Sequence, residues 1–386
     1  MTEQCVLHVC VEYPDVFQSN KPLVVARLVD GLSTHALNIV VSLNRVNNPL
    51  EEEVRSEGNH WAIRYFAPPL GIMQSFFLDR LSRRLMRLMA ENGIRPNIMI
   101  GHKFTIESYI CWKLWQRLKV PYVVGFMGNT DCKVFHAKPH YRRKYRNIAQ
   151  NAKALIFPTP WCEHFFRERL LRSAGVSEDQ QHLIPYISGE PILPTESSPL
   201  STQRFVTICR RLEYWRLKNL HRLIDAIAVV RKSGGDWSLD IVGPGSASAE
   251  STLRNFIRSH DLEGHIRLLG GKSREQIDRL LPDYCAMVMP SYPESFGLVY
   301  LEALGKGVPI MTAKGAGIDG FFPGRFPGVI VAHDRLEEIA QGLLTLSKHS
   351  EQFRRQIQTM APEFRQFDRD AIISAYVRLL GLKKTV

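Results

Sequence analysis

At 386 residues the chain is long enough for two domains, each with its own core, and 45% hydrophobic with 23% charged residues are ordinary globular proportions. Seven scattered cysteines, mostly inside apolar runs, argue against a disulfide framework or a paired Cys-x-x-Cys metal site, and no apolar stretch approaches the ~20 residues that span a bilayer. The net charge of +12 asks for an anionic partner. Glu3 leads directly into a strand-like run, so no secretory leader and a cytoplasmic setting are expected.

Short apolar runs alternate with helical periodicities along the whole chain, the pattern of a parallel α/β protein. In the first half, strands are expected at 5–11, 37–43, 98–101, 122–126, 154–157 and 182–185. Helices are expected at 23–32, 76–92, 106–118, 141–151 and 163–173. The helix near 76–92 places Arg80, Arg83, Arg84 and Arg87 at i, i+3, i+4 and i+7, with Phe77, Leu81, Leu85 and Leu88 on the opposite face. A second basic cluster covers 136–146. Such a helix is expected to meet an anionic membrane surface, or else to be a solvated face, and nucleic acid is not expected.

Residues 188–202, rich in Pro and Ser, read as an interdomain linker. The second half repeats the pattern, with strands expected at 205–209, 239–242, 266–269, 287–290, 308–311 and 329–331. A helix after Lys218 carries Leu220, Leu223, Ile224, Ile227 and Val230 on one face. The closing segment 361–382 is expected to be helical and broken early by Pro362. The fold class is therefore α/β, with two doubly wound Rossmann-like domains at 1–190 and 203–361 and a terminal helix within 362–386.

Residues 293–309 read PESFGLVYLEALGKGVP and hold Glu294 and Glu302 eight residues apart. On one continuous helix these would lie about 12 Å apart along the axis and about 80° apart around it. Both carboxylates would then face one extended ligand. This segment resembles the E-x7-E motif of retaining glycosyltransferases of GT-B fold (glycosyl transferases group 1). The resemblance implies two domains facing a central cleft, with the terminal helix crossing back onto the first. It implies that Glu294 binds the hydroxyls of the transferred sugar and Glu302 the ribose of a nucleotide-sugar donor, with a UDP-sugar preferred over a GDP-sugar.

The stretch CRRLEYWRLKNL resembles the family's G-R-L…K segment and places Arg211 and Lys218 on the diphosphate. The turn Ser295-Phe296-Gly297-Leu298 opens a helix whose free N–H groups attract phosphate, and Gly297 permits close backbone approach. Gly243 and Gly245 follow a strand and either line the diphosphate pocket or form a plain tight turn. Asp319 stands where relatives often carry a Glu near the sugar.

On the acceptor side the resemblance is thinner. Met127 occupies the place of a His found in relatives, and Ser19 and Asn20 replace a Gly-Gly loop. His102 and Asp131 are the candidates for that missing role, with a structural role as the alternative. The expected reaction is metal-independent, cofactor-free transfer of a hexose-type sugar to a saccharide or lipid-linked acceptor, with retention at the anomeric carbon. A sugar-nucleotide 2-epimerase and a non-catalytic nucleotide-sugar-binding subunit are the alternatives.

Overall fold

The computed structural model describes residues 4–188, 203–232 and 234–383. Most of the expected linker, 189–202, lies outside them. Two compact units are formed, one from Met1–Pro158, Cys162–Ile187 and Arg369–Val386, the other from Thr159–Trp161 and Ser188–Asp368.

The first unit holds strands β1 (Cys5–Cys10), β2 (Leu37–Val46), β3 (Glu53–Glu57), β4 (His60–Phe66), β5 (Ile98–Gly101), β6 (Tyr122–Gly125), β7 (Ala154–Phe157) and β8 (Gln181–Leu183). Their order is β3-β4-β2-β1-β5-β6-β7-β8, and all pairs are parallel except β3 with β4. Strands β1, β5 and β7 are buried along their full length. Continuous apolar runs suit them because helices cover both faces of a parallel sheet.

The hairpin β3–β4 was invisible to apolar-run reading. Strand β3 reads EVRSE, a polar edge strand, and the turn is made by Gly58 at φ +54° and Asn59. The helix Asn129–Ala137 was also missed.

The second unit contains β9 (Arg204–Ile208), β10 (Ser238–Val242), β11 (Ile266–Gly270), β12 (Ala286–Val288), β13 (Ile310–Ala313) and β14 (Gly328–Val331). All five neighbouring pairs are parallel, in the order β11-β10-β9-β12-β13-β14. In sequence terms this is 3-2-1-4-5-6, the doubly wound nucleotide-binding order, whose direction reverses between β9 and β12. The helix Leu220–Lys232 buries Leu220, Leu223, Ile224, Ile227 and Val230 against this sheet, as its periodicity predicts.

Two expectations about helices change. Pro362 does not break the terminal segment, because it sits in the first turn of Ala361–Phe364, where its missing N–H is harmless. The break falls at Asp368, which is extended, after which Arg369–Leu380 packs Ile372, Ile373 and Leu380 into the core of the first unit beside Val6 and Leu28.

The basic helix, Gln74–Glu91, buries Leu81 and Leu85 as expected, but its arginines are not one free face. Arg80 makes a two-pronged contact with Glu52, at 3.0 and 2.7 Å, and Arg84 reaches the carbonyl of Arg64 at 3.5 Å. Glu52 lies just ahead of the unread hairpin, which is why its compensation was not legible. No helix among the described residues is long and apolar enough to cross a membrane.

Candidate functional site

In an open parallel sheet, ligands bind beyond the carboxyl ends of the strands where the order reverses. In the second unit that point lies between β9 and β12, so the loops 209–219 and 289–297 form its walls. The first carries Arg211 and Lys218, the second Glu294 to Gly297.

Lys218 and Glu294 meet there, with Nζ 2.5 Å from Oε2. Glu294 is 9% exposed and its other oxygen accepts from the backbone N–H of Ser295 at 3.1 Å. The carbonyl of Glu294 accepts from the N–H of Gly317 at 3.0 Å, so the Gly315–Gly320 loop supports it from below.

Asn219, the residue after Lys218, was missed by sequence reasoning and does much of the positioning. It is buried in the left-handed conformation at φ +59°, a region Asn tolerates. Its amide donates to the carbonyls of Pro290, at 3.0 Å, and His333, at 2.7 Å, tying three loops at the carboxyl edge of the sheet.

Arg211 is exposed, 3.5 Å from Glu213 and over the ring of Tyr214. The Glu-Tyr-Trp-Arg stretch between it and Lys218 is a packed turn, because Trp215 is buried against Phe256. Leu212 N–H donates to the carbonyl of Pro244 at 2.9 Å, so the loop after β10 braces this one. A Cβ on Gly243 would sit 2.2 Å from the carbonyl oxygen of Cys209. Gly243 is thus required by this close approach between two loops.

The helix after the turn spans Leu298–Gly305, so Glu294 precedes it. The helical arithmetic that placed both glutamates on one axis therefore fails. What brings Glu294 to the site is the loop after β12, and only Glu302 lies on the helix. Gly297 caps that helix at φ +75° without a side-chain hydrogen bond, and no acid occupies its first turn. A side chain at Gly297 would meet the ring of Tyr300 at 2.4 Å, and that ring is held by its hydroxyl on the carbonyl of Met289 at 2.6 Å. Phe296 is buried, anchoring the turn, and Ser295 and Leu298 are partly exposed.

Glu302 pairs with Arg274 at 3.1 Å, a cation the sequence reading did not single out. Asp319 turns onto its own loop, accepting from the N–H of Gly315 at 2.7 Å.

In the first unit, the order reverses between β1 and β5, and His102 follows β5. His102 is buried, stacked on His8 with ring centres 5.4 Å apart and Nε2 3.1 Å from Nδ1 of His8. His8 Nε2 in turn lies 2.9 Å from Oδ1 of Asn38, whose amide nitrogen donates to the carbonyl of Ala36. Asn38 Oδ1 can only accept, so His8 carries its proton on Nε2. Burial holds the pKa of His8 down at about 4 and that of His102 well below the ordinary range. Both rings are therefore neutral near pH 7. His8 Nδ1 is then an acceptor, His102 Nε2–H is its donor, and His102 Nδ1 carries a bare lone pair.

Asp131 is fully buried and accepts from the N–H and hydroxyl of Thr105, at 3.1 and 2.9 Å, and from the N–H of Met127 at 2.8 Å. It ties the loops after β5 and β6 together, which is the structural role. Burial raises its pKa despite these bonds.

Residues 194–363 match the family model described as Glycosyl transferases group 1, a stretch that falls in the second unit. The amylovoran biosynthesis glycosyltransferase AmsK of Erwinia amylovora is 26% identical over 151 residues, 38% of this chain and 36% of that protein. The GDP-mannose:cellobiosyl-diphosphopolyprenol alpha-mannosyltransferase of Xanthomonas oryzae pv. oryzae is 25% identical over 237 residues, 57% of this chain and 61% of that one. The chain spans about a third of the length of the curated relatives it matches first.

Among solved structures, sucrose-phosphate synthase of Thermosynechococcus elongatus is similar over 97% of this chain and 98% of its own, with a TM-score of 0.72 at 17% identity. HepE of Anabaena, solved with UDP and glucose, is similar over 98% and 99%, with a TM-score of 0.67 at 16% identity. These likenesses establish the fold as GT-B, two Rossmann-like α/β domains.

Proposed function

We propose that this chain transfers a hexose-type sugar from a nucleoside diphosphate sugar, a UDP-sugar before a GDP-sugar, to a saccharide or lipid-linked acceptor. Transfer proceeds with retention of configuration and without a metal. The observation that carries the reading is the contact of Lys218 with Glu294 at the reversal point of a 3-2-1-4-5-6 sheet, inside the matched domain.

The physical demands of the reaction fit these groups. Departure of a nucleoside diphosphate concentrates negative charge on the leaving oxygen, and preorganised cations and N–H groups stabilise it best. Arg211, Lys218 and the uncapped N–H groups at the start of Leu298–Gly305 supply that. Gly243 sits at the base of the same site. Glu294 accepts from sugar hydroxyls, Glu302 from the ribose, and the leaving diphosphate takes the acceptor's proton in a front-face attack. In the first unit, His102 offers an acceptor nitrogen at the carboxyl end of β5. Two relatives are named for amylovoran biosynthesis and for a diphosphopolyprenol substrate, which supports a polysaccharide or lipid-linked acceptor here. The same reading places the enzyme in the cytoplasm, peripheral to an anionic membrane met by Arg83 and Arg87.

The test is a thermal-shift series against UDP- and GDP-sugars, followed by turnover assays with and without chelator. A donor at a hundred times its Kd should stabilise the fold by about 2.7 kcal/mol. Stabilisation by no nucleotide sugar sinks the proposal. Binding without turnover turns it toward a nucleotide-sugar-binding subunit, and acceptor-free interconversion of the donor toward an epimerase. Loss of transfer in chelator removes metal independence.

A further inference from the structure

The first unit contains a cavity of about 370 Å³ between the start of the helix Gln74–Glu91, the helix Asn129–Ala137 and the loop that precedes Gln74. That size lies within the usual range of small-molecule pockets. Tyr65, Ile72, Phe77, Leu78, Ile106 and Val134 give it a largely apolar lining. Arg45, Lys133 and Lys138 also line it, and among its described lining residues there is no Asp or Glu.

The cations divide into two kinds. Lys138 is buried and donates to the carbonyl of Gly71 at 2.8 Å and to Oε1 of Gln74 at 2.5 Å, so it holds the loop in place. Arg45 and Lys133 are exposed at the surface. Arg45 touches the carbonyl of Pro68 at 3.2 Å, and it forms no ion pair with a described residue, nor does Lys133.

Beside the cavity the chain exposes large apolar side chains in one short run. Leu70 is 91% exposed, Ile72 57%, Met73 62% and Phe76 52%. An apolar cluster of this kind next to an apolar pocket marks a binding surface more than an ordinary exterior.

We propose that this pocket takes the hydrocarbon chain of a phosphorylated amphiphile, with the phosphate held by Arg45 and Lys133. The pocket is partly open to solvent, its volume suits one hydrocarbon chain, and the all-cationic set of charges selects an anionic head over a neutral one. All residues that line the pocket belong to the first unit. The pocket's use as the acceptor end of sugar transfer rests on the function proposed above.

The experiment is calorimetry of the full chain with n-alkyl phosphates from hexyl to dodecyl, each below its micelle concentration. Binding should be saturable and tighten about fourfold per added methylene until the pocket is full. Inorganic phosphate alone should not compete. Ala137→Trp, which fills the cavity from an exposed helix position, should weaken binding at least tenfold. Lys133→Glu should weaken alkyl phosphates and leave alkyl glucosides unchanged. If Ala137→Trp shifts the melting midpoint, the surface variant Lys133→Glu decides alone. Absence of binding, indifference to chain length, indifference to Lys133→Glu, or attachment to anionic vesicles without binding of monomeric amphiphile would overturn the proposal. Donor binding and turnover need not be measured, so failure here leaves the transferase reading standing.

Discussion

Lys218 and Glu294 stand 76 residues apart in the chain and 2.5 Å apart in space. Their contact joins the two loops that flank the reversal point of the second sheet, and each neutralises the other until a donor arrives. Lys218→Ala should lower kcat/KM at least about a hundredfold, the usual cost of removing one preorganised charge donor. Initial-rate assays, with the melting midpoint as a folding control, check this. Full activity in a folded Lys218→Ala protein would remove the residue from the site.

Arg274 holds Glu302 at 3.1 Å, so it orients the carboxylate assigned to the ribose. Because the ribose lies away from the reacting carbon, Arg274→Ala should raise the donor KM about tenfold and leave kcat within about twofold. Glu302→Ala should do at least as much damage. A fall in kcat with unchanged KM would mean that Arg274 acts on the chemistry instead.

Asn38, His8 and His102 form a relay that fixes one tautomer, with Nε2–H on both rings and a bare Nδ1 on His102. A long-range proton–nitrogen NMR spectrum at pH 7 should show this pattern. Asn38→Leu removes the acceptor that fixes His8 and should produce mixed tautomers at both residues. An Nδ1–H form of His102 in the unaltered protein would break the relay.

Glu107 gives a pH signature. Its side chain is fully buried, one oxygen accepting from the N–H of Val11 at 2.6 Å and the other without a partner among the described residues. Burial pushes its pKa up to about 8, with Lys103 opposing the shift. An unfolded carboxyl ionises near 4.5, so between there and about 8 the folded state binds the extra proton. Stability is then lost as pH rises through that window. His8 works in the opposite direction, losing stability as pH falls from 6.5 toward about 4. Asp131, also raised by burial, has the same sign as Glu107, so the comparison with Glu107→Gln assigns the loss between 6.5 and 8. Urea unfolding should show a loss of about 2 kcal/mol across that interval, and Glu107→Gln should flatten it. An equal loss in both proteins would refute the assignment.

Several parts of this picture were legible locally. Continuous Val/Ile/Leu runs marked the buried parallel strands, the 3.6-residue period marked the helix Leu220–Lys232, and the Ser295-Phe296-Gly297-Leu298 turn marked the start of a helix. In each case the signal lies within a few residues of its effect. The pairing of Arg80 with Glu52 was hidden because the polar hairpin β3–β4 offers no apolar period. Asp131 looked like a reactive acid because its three donors come from residues 105 and 127 in separate loops.

The segment 293–309 shows the same division. The sequence by itself determined that a turn at 295–298 opens a helix that carries Glu302, since turn chemistry and helix periodicity are local. Only the tertiary structure decided that Glu294 lies before the helix, that Lys218 neutralises it, that Asn219 holds both loops, and that Arg274 claims Glu302. Those contacts depend on strand order, and strand order is fixed by burial of whole faces against one another rather than by any neighbouring residue.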